Sequence, residues 1–135
     1  IQGEAQGRLG VFLAKKYEEL DPKPKAMKIK KLQENPKMAG AIVAICMQRD
    51  PKESLPEWEE VAAVSMAVQN MWLQCTEMRI GSYWSSPGLI KHMGEFLNLA
   101  EGEKCLGFFY MGNFDGELGE GKREPIETKT EWITE

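Results

Sequence analysis

Trp58-Glu-Glu-Val-Ala-Ala-Val-Ser-Met-Ala-Val-Gln-Asn-Met-Trp-Leu-Gln-Cys-Thr-Glu-Met78 contains neither glycine nor proline and keeps apolar residues three and four apart throughout. It reads as one long helix. Ser54-Leu-Pro-Glu57 ahead of it has the form of a capping box, with the serine oxygen and the glutamate each satisfying an end amide. A helix from there to about Arg79 would be about 37 Å long. Its middle, Val61 to Val68, is apolar or small on every side, and a chain of 15.3 kDa has one small core that cannot cover all of it. A second copy packed across this helix, hence a homodimer, is the expectation. Met66, Met71 and Met78 are expected to pack as core, and Gly81 suits the left-handed position just past the helix end.

On the N-terminal side, Leu9, Phe12, Leu13, Tyr17 and Leu20 mark an amphipathic helix over Gly3 to Leu20, closed by Asp21-Pro22-Lys23-Pro24. The basic segment Lys25 to Gln33 predicts a second, mostly exposed helix, broken at Asn35-Pro36. Ala41 to Met47 is short, β-branched and apolar throughout, the pattern of a strand covered on both faces. On the C-terminal side, Ser82 to Gly88 reads as a loop of hydroxyls and aromatics, and Leu89, Ile90, Met93, Phe96 and Leu97 as a short helix. Lys104 to Met111 predicts a second buried strand with a close approach or bulge at Gly107. Gly112 to Gly121 is too poor in apolar residues to be packed core, and the partial alternation from Ile126 to Thr134 suggests an edge strand.

The 135 residues carry a net charge of -4, with 42% hydrophobic and 28% charged residues. This is the profile of one globular domain, and it gives no electrostatic reason to expect nucleic acid or an anionic membrane as partner. No apolar run approaches the roughly 20 residues of a membrane span. Cys46, Cys75 and Cys105 are widely spaced within apolar stretches, which suggests reduced core thiols, no metal site and, with no signal-peptide pattern, a cytoplasmic protein. The single histidine, His92, is expected at the surface or capping a helix, and it cannot supply a His-rich metal site. Asp115 with Glu117 is a weak carboxylate pair in a glycine-flanked loop, so no catalytic residue is assigned. Two features could hold a ligand: the loop of Ser82, Tyr83, Trp84, Ser85 and Ser86, and the basic pair Lys122-Arg123, suited to a phosphate.

Several short motifs stand in a telling order: Gln69-Asn70-Met71 in the helix, Ile80-Gly81-Ser82-Tyr83-Trp84, Leu99-Ala-Glu-Gly-Glu103, Leu106-Gly-Phe-Phe-Tyr-Met-Gly112 and Arg123-Glu-Pro125. In this the chain resembles the nitroreductase family. The resemblance implies a single α+β domain over residues 1–135, a nitroreductase-like sandwich with a central sheet, flanking helices and a long dimerisation helix. It implies non-covalently bound FMN at the subunit interface and hydride passing from NAD(P)H through the flavin to a nitroaromatic, quinone or other conjugated acceptor. Carried over by position, Ile80, Gly81 and Ser82 lead into the flavin-contacting Trp84, Ser85 and Ser86, while Lys122 and Arg123 match the tail that meets the phosphate. Ser85 stands where smaller members of the family often have arginine, which removes one positive charge. The family's front segment, with its Arg-Arg-Ser-x-Arg pattern, is not found in these residues. The chain is therefore expected to represent the C-terminal two thirds of such a protein and, alone, to hold FMN weakly or not at all. The alternative expectation is a flavin-free dimeric binding module of the same fold.

Overall fold

The computed structural model describes residues 1–116, 119 and 121–134. Helix α1 (Glu4–Leu20) turns Leu9, Leu13 and Tyr17 inward, and helix α2 (Ala26–Met38) crosses it closely because Gly10 carries no Cβ to collide with the backbone of Gln33. The break expected at Asn35-Pro36 does not occur. Pro36 lies inside α2 with its ring buried, and its missing N–H leaves the Leu32 carbonyl without a helical partner. A side chain from the neighbouring helix closes this end: Gln6 Nε2 donates to the carbonyls of Pro36 at 2.9 Å and Ala39 at 2.7 Å.

Three strands, β1 (Ala41–Gln48), β2 (Gly81–Ser85) and β3 (Glu103–Gly112), form an antiparallel sheet in the order β1-β3-β2. Pairing of β1 with β3 shifts register between Ile45 and Cys46. With that irregularity, Cys105 and Phe108 turn to the α1 side of the sheet, while Leu106 and Phe109 turn to the other. One core therefore packs Leu9, Leu13, Ile42, Met93 and Phe108, and the second packs Ile45, Val68, Cys75 and Phe109 beneath α3 (Glu57–Glu77). The central strand β3 is covered on both faces, as its apolar run predicts. β1 is covered less completely: Ile42 and Ile45 are buried on its two faces, while Val43 keeps 36% exposure and Cys46 is exposed, and its outer edge exchanges backbone hydrogen bonds with Ile1 at 2.7 and 3.1 Å. Cys75 and Cys105 are buried, and burial pushes the Cys105 thiol up to about 11.

The capping box does not form either. Pro56 occupies the N-cap of α3 without a side-chain bond, and the preceding turn is held from elsewhere. Asp50 accepts from the amides of Lys52 at 3.0 Å and Ser54 at 3.1 Å, while Glu60 accepts from the Asp50 amide at 2.9 Å and Arg49 Nη1 at 2.6 Å. The Asp50 amide and then Arg49 hold the Glu60 carboxyl below its ordinary value of 4.5. A lowered carboxyl stabilises fully above its unfolded value and loses that contribution as pH falls through the folded one. Glu60→Gln is therefore expected to lower stability at neutral pH and to flatten its decline below pH 4.5. Urea midpoints from pH 3 to 7 test this, and an acid limb unchanged by the substitution contradicts it.

At its other end, α3 stops at Glu77, and Arg79, not Gly81, takes the left-handed conformation, with φ 55°. Ile80 N donates to Cys75 O at 2.8 Å and Arg79 N to Thr76 O at 3.1 Å, closing the helix with a Schellman pattern built on a non-glycine residue. Trp58, Met66, Leu73 and Met78 are more than half exposed, so of the methionine series only Met71 packs against the core. The expected loop from Ser82 is instead strand β2 as far as Ser85, paired to β3. A 3-10 turn (Gly88–His92) and helix α4 (Met93–Leu97) follow, as the apolar spacing predicts. His92 is half-buried and makes no side-chain cap, so neither expected role holds. The tail forms a single 3-10 turn (Ile126–Thr128) and no edge strand, because nothing among the described residues pairs with it; Trp132 is 89% exposed. Among the described residues no helix is long and apolar enough to cross a membrane.

Candidate functional site

Strand β2 is delivered by the tight turn at Arg79-Ile80 and lies along the edge of the sheet, with Gly81 opposite Gly112. A Cβ on Gly81 would stand 2.8 Å from Phe114 Cδ1 and 3.2 Å from Gly112 O, so only glycine lets Phe114 fold back onto the start of the strand. Around this contact lies a cavity of about 470 Å³, walled by Trp72, Arg79, Ile80, Gly81, Ser82 and Phe114. A second, of about 400 Å³, shares Gly81, Ser82 and Phe114 and continues past Tyr83, Tyr110 and Met111. The two meet along β2.

Alternation along the strand sorts its side chains. Trp84 joins the core beneath α3, its indole nitrogen against the bare Cα of Gly107. On the opposite face Tyr83 stacks on Tyr110, centroids 5.1 Å apart and planes 12° from parallel. Burial first, and Tyr83 second, push the Tyr110 hydroxyl up to about 12, so it remains a neutral donor at any physiological pH. Ser82 Oγ and Trp84 Nε1 are buried and have no hydrogen-bond partner among the described residues. Such a group costs about 1–3 kcal/mol until something bonds to it.

Of the residues singled out from sequence, Ile80, Gly81 and Ser82 thus come together around one cavity, and Trp84 shares the face of Ser82. Ser85 faces a groove toward α2, and Ser86 Oγ donates to Leu106 O at 3.0 Å. Lys122 and Arg123 are exposed and line a separate shallow depression with Gly121 and Glu124, away from β2. Glu117 lies outside the described residues, so the pair with Asp115 has no structural account; Asp115 itself lines the 470 Å³ cavity. Sequence reasoning missed Arg79, Trp72 and Phe114. The glycine at 81 drew the left-handed turn away from Arg79, and Phe114 was hidden in a glycine-rich acidic stretch. Among the described residues no group of three His, Cys, Asp or Glu could hold a metal ion.

A mixed helix-and-sheet domain, layered on both faces of an antiparallel sheet and fed by one long helix into a cavity-lined edge strand, defines the class. The chain belongs to the nitroreductase family, whose model matches residues 3–113. Among solved structures it is similar to a nitroreductase-like family protein from Bacillus cereus, 26% identical with a TM-score of 0.81, over 98% of this chain and 70% of that one. The fold is also that of a nitroreductase with bound FMN from Bacteroides fragilis, 19% identical with a TM-score of 0.64, over 98% and 72% of the two chains. Comparison with curated proteins returns no match.

Proposed function

We propose that this protein is an FMN-dependent oxidoreductase that takes hydride from NAD(P)H and reduces nitroaromatics, quinones or similar conjugated acceptors, acting as a cytoplasmic homodimer. The observation that carries this is Ser82 Oγ, buried without a hydrogen-bond partner among the described residues on the strand that walls both cavities. Family membership supports a flavin oxidoreductase in general, and the FMN named with the Bacteroides fragilis structure supports the choice of flavin. Bound FMN would supply the two-electron exchange between donor and acceptor.

The protein's own residues do the holding. Gly81 admits Phe114 against the start of β2, Ser82 offers a hydroxyl, and Trp72 and Phe114 supply flat apolar walls. Arg79 brings to this cavity a positive charge that Ser85 lacks. Ser85, Ser86, Lys122 and Arg123 complete the proposed contacts, the last two on the phosphate from a tail that reaches over the partner. The exposed apolar side chains of α3 support a dimer built across that helix.

A visible spectrum of purified protein whose intact mass shows that it includes the family's front segment, followed by FMN titration, tests the proposal. A flavin band, or FMN uptake that Ser82→Ala weakens by about tenfold, is expected, one buried hydrogen bond being worth on the order of 1.4 kcal/mol. Colourless protein that refuses FMN and leaves NAD(P)H unoxidised with an acceptor present overturns it, in favour of a flavin-free binding module.

A further inference from the structure

The basic segment ahead of β1 has no part in the site so far. Residues 23–37 carry six lysines against Glu34 alone, within a chain of net charge -4. Lys37 pairs with Glu34 at 3.1 Å. Lys28 and Lys31, one turn apart on α2, instead line a groove of about 190 Å³ between that helix and β2. Its opposite wall is Tyr83, Ser85 and Tyr110, and among the described residues no carboxylate lines it. Asp21 is the nearby acid, felt by Lys28 and Lys25, and Lys28 Nζ also sits 4.2 Å from the centroid of the Tyr17 ring. Lys31 has no ion pair among the described residues.

Asn35, Tyr83 and Tyr110 line both this groove and the cavity at Gly81-Ser82, so the two spaces are neighbours. Tyr83 keeps 55% exposure, leaving ring surface uncovered in a groove that Lys28 and Lys31 also line. The groove is smaller than the roughly 300–1,000 Å³ of sites for drug-sized ligands. It suits one substituted ring and excludes a dinucleotide.

We propose that the α2–β2 groove is the acceptor seat, selecting single-ring aromatic acceptors that carry a carboxylate or sulfonate, with the ring against Tyr83 and the anion held by Lys31 and Lys28. In naming an acceptor it rests on the reductase reading; as an anion site it stands on the groove alone. Ammonium groups act on the anion as point charges, so affinity falls with salt.

Calorimetric titration of the purified protein with 4-nitrobenzoate and with nitrobenzene tests this, alongside steady-state reduction of both. The nitrobenzoate is expected to bind at least tenfold more tightly at low salt. That advantage should vanish in Lys28→Gln/Lys31→Gln and persist in Lys30→Gln, whose side chain does not line the groove. In turnover, the KM for nitrobenzoate should rise about tenfold in the double variant while that for nitrobenzene stays put. Equal affinities, or binding indifferent to Lys28 and Lys31, overturn the proposal even if both compounds are reduced. Lysine-dependent nitrobenzoate binding without reduction of either compound supports the anion site and sinks the reductase reading.

Discussion

Gly107→Ala is expected to destabilise the protein by about 3 kcal/mol and to abolish ligand binding along β2, the top of the usual overpacking range because backbone must move. The added Cβ would overlap Trp84 Nε1 and lie 2.8 Å from Ser85 O. Neither atom can yield cheaply. Ser85 O belongs to the backbone of β2, and the indole is packed into the core beneath α3. Relief comes only if β2 moves off β3, which pulls Gly81 and Ser82 out of register with Met111 and Gly112. Urea unfolding with FMN titration on the same samples measures both effects. Trp84→Leu in the Gly107→Ala background should recover part of the stability, and a single variant with the parent's midpoint would refute the close-packing account.

Phe109→Ala should cost about 3–5 kcal/mol, the range for emptying a buried aromatic site. Phe109 is fully buried on β3, edge-on to Trp72 with centroids 5.7 Å apart, and packs with Ile45, Val68 and Cys75 beneath α3. Against a total stability of about 5–15 kcal/mol, that loss leaves a marginal domain. Trp132→Ala is the matching control, since that ring is 89% exposed and should shift the midpoint hardly at all. Comparable losses in the two variants would mean that the Trp132 ring is packed and not exposed.

What could be read in advance followed from local spacing. Leu9, Leu13 and Tyr17 announce α1, and the apolar runs of β1 and β3 announce strands, because burial on one side or both writes itself into neighbouring residues. Failures came where the deciding partner is remote. Pro36 remains helical because the Gln6 amide reaches its carbonyl from another helix. Ser54 loses the capping role because Asp50 and Glu60 close the turn instead. Ser82 to Ser85 became strand because β3 lies alongside, and Ile126 to Thr134 did not because no strand among the described residues does. Within the site, Ile80, Gly81 and Ser82 were legible through their resemblance to a family motif. Phe114 was not, since its value lies in folding back onto Gly81.

The strand order β1-β3-β2 also sets a timetable. The middle strand is the last of the three to leave the ribosome, and Ala41 must wait for Met111, its partner on β3. Until Gly112 has emerged, β1 and β2 lack their common partner, while the helices beside them already have sequence to fold. Pairing across such separations is slow, because loop closure must precede any gain from contact. The nascent chain thus has its most aggregation-prone interval just before β3 is complete, and conditions that slow synthesis there should lower the yield of folded protein more than the same delay earlier.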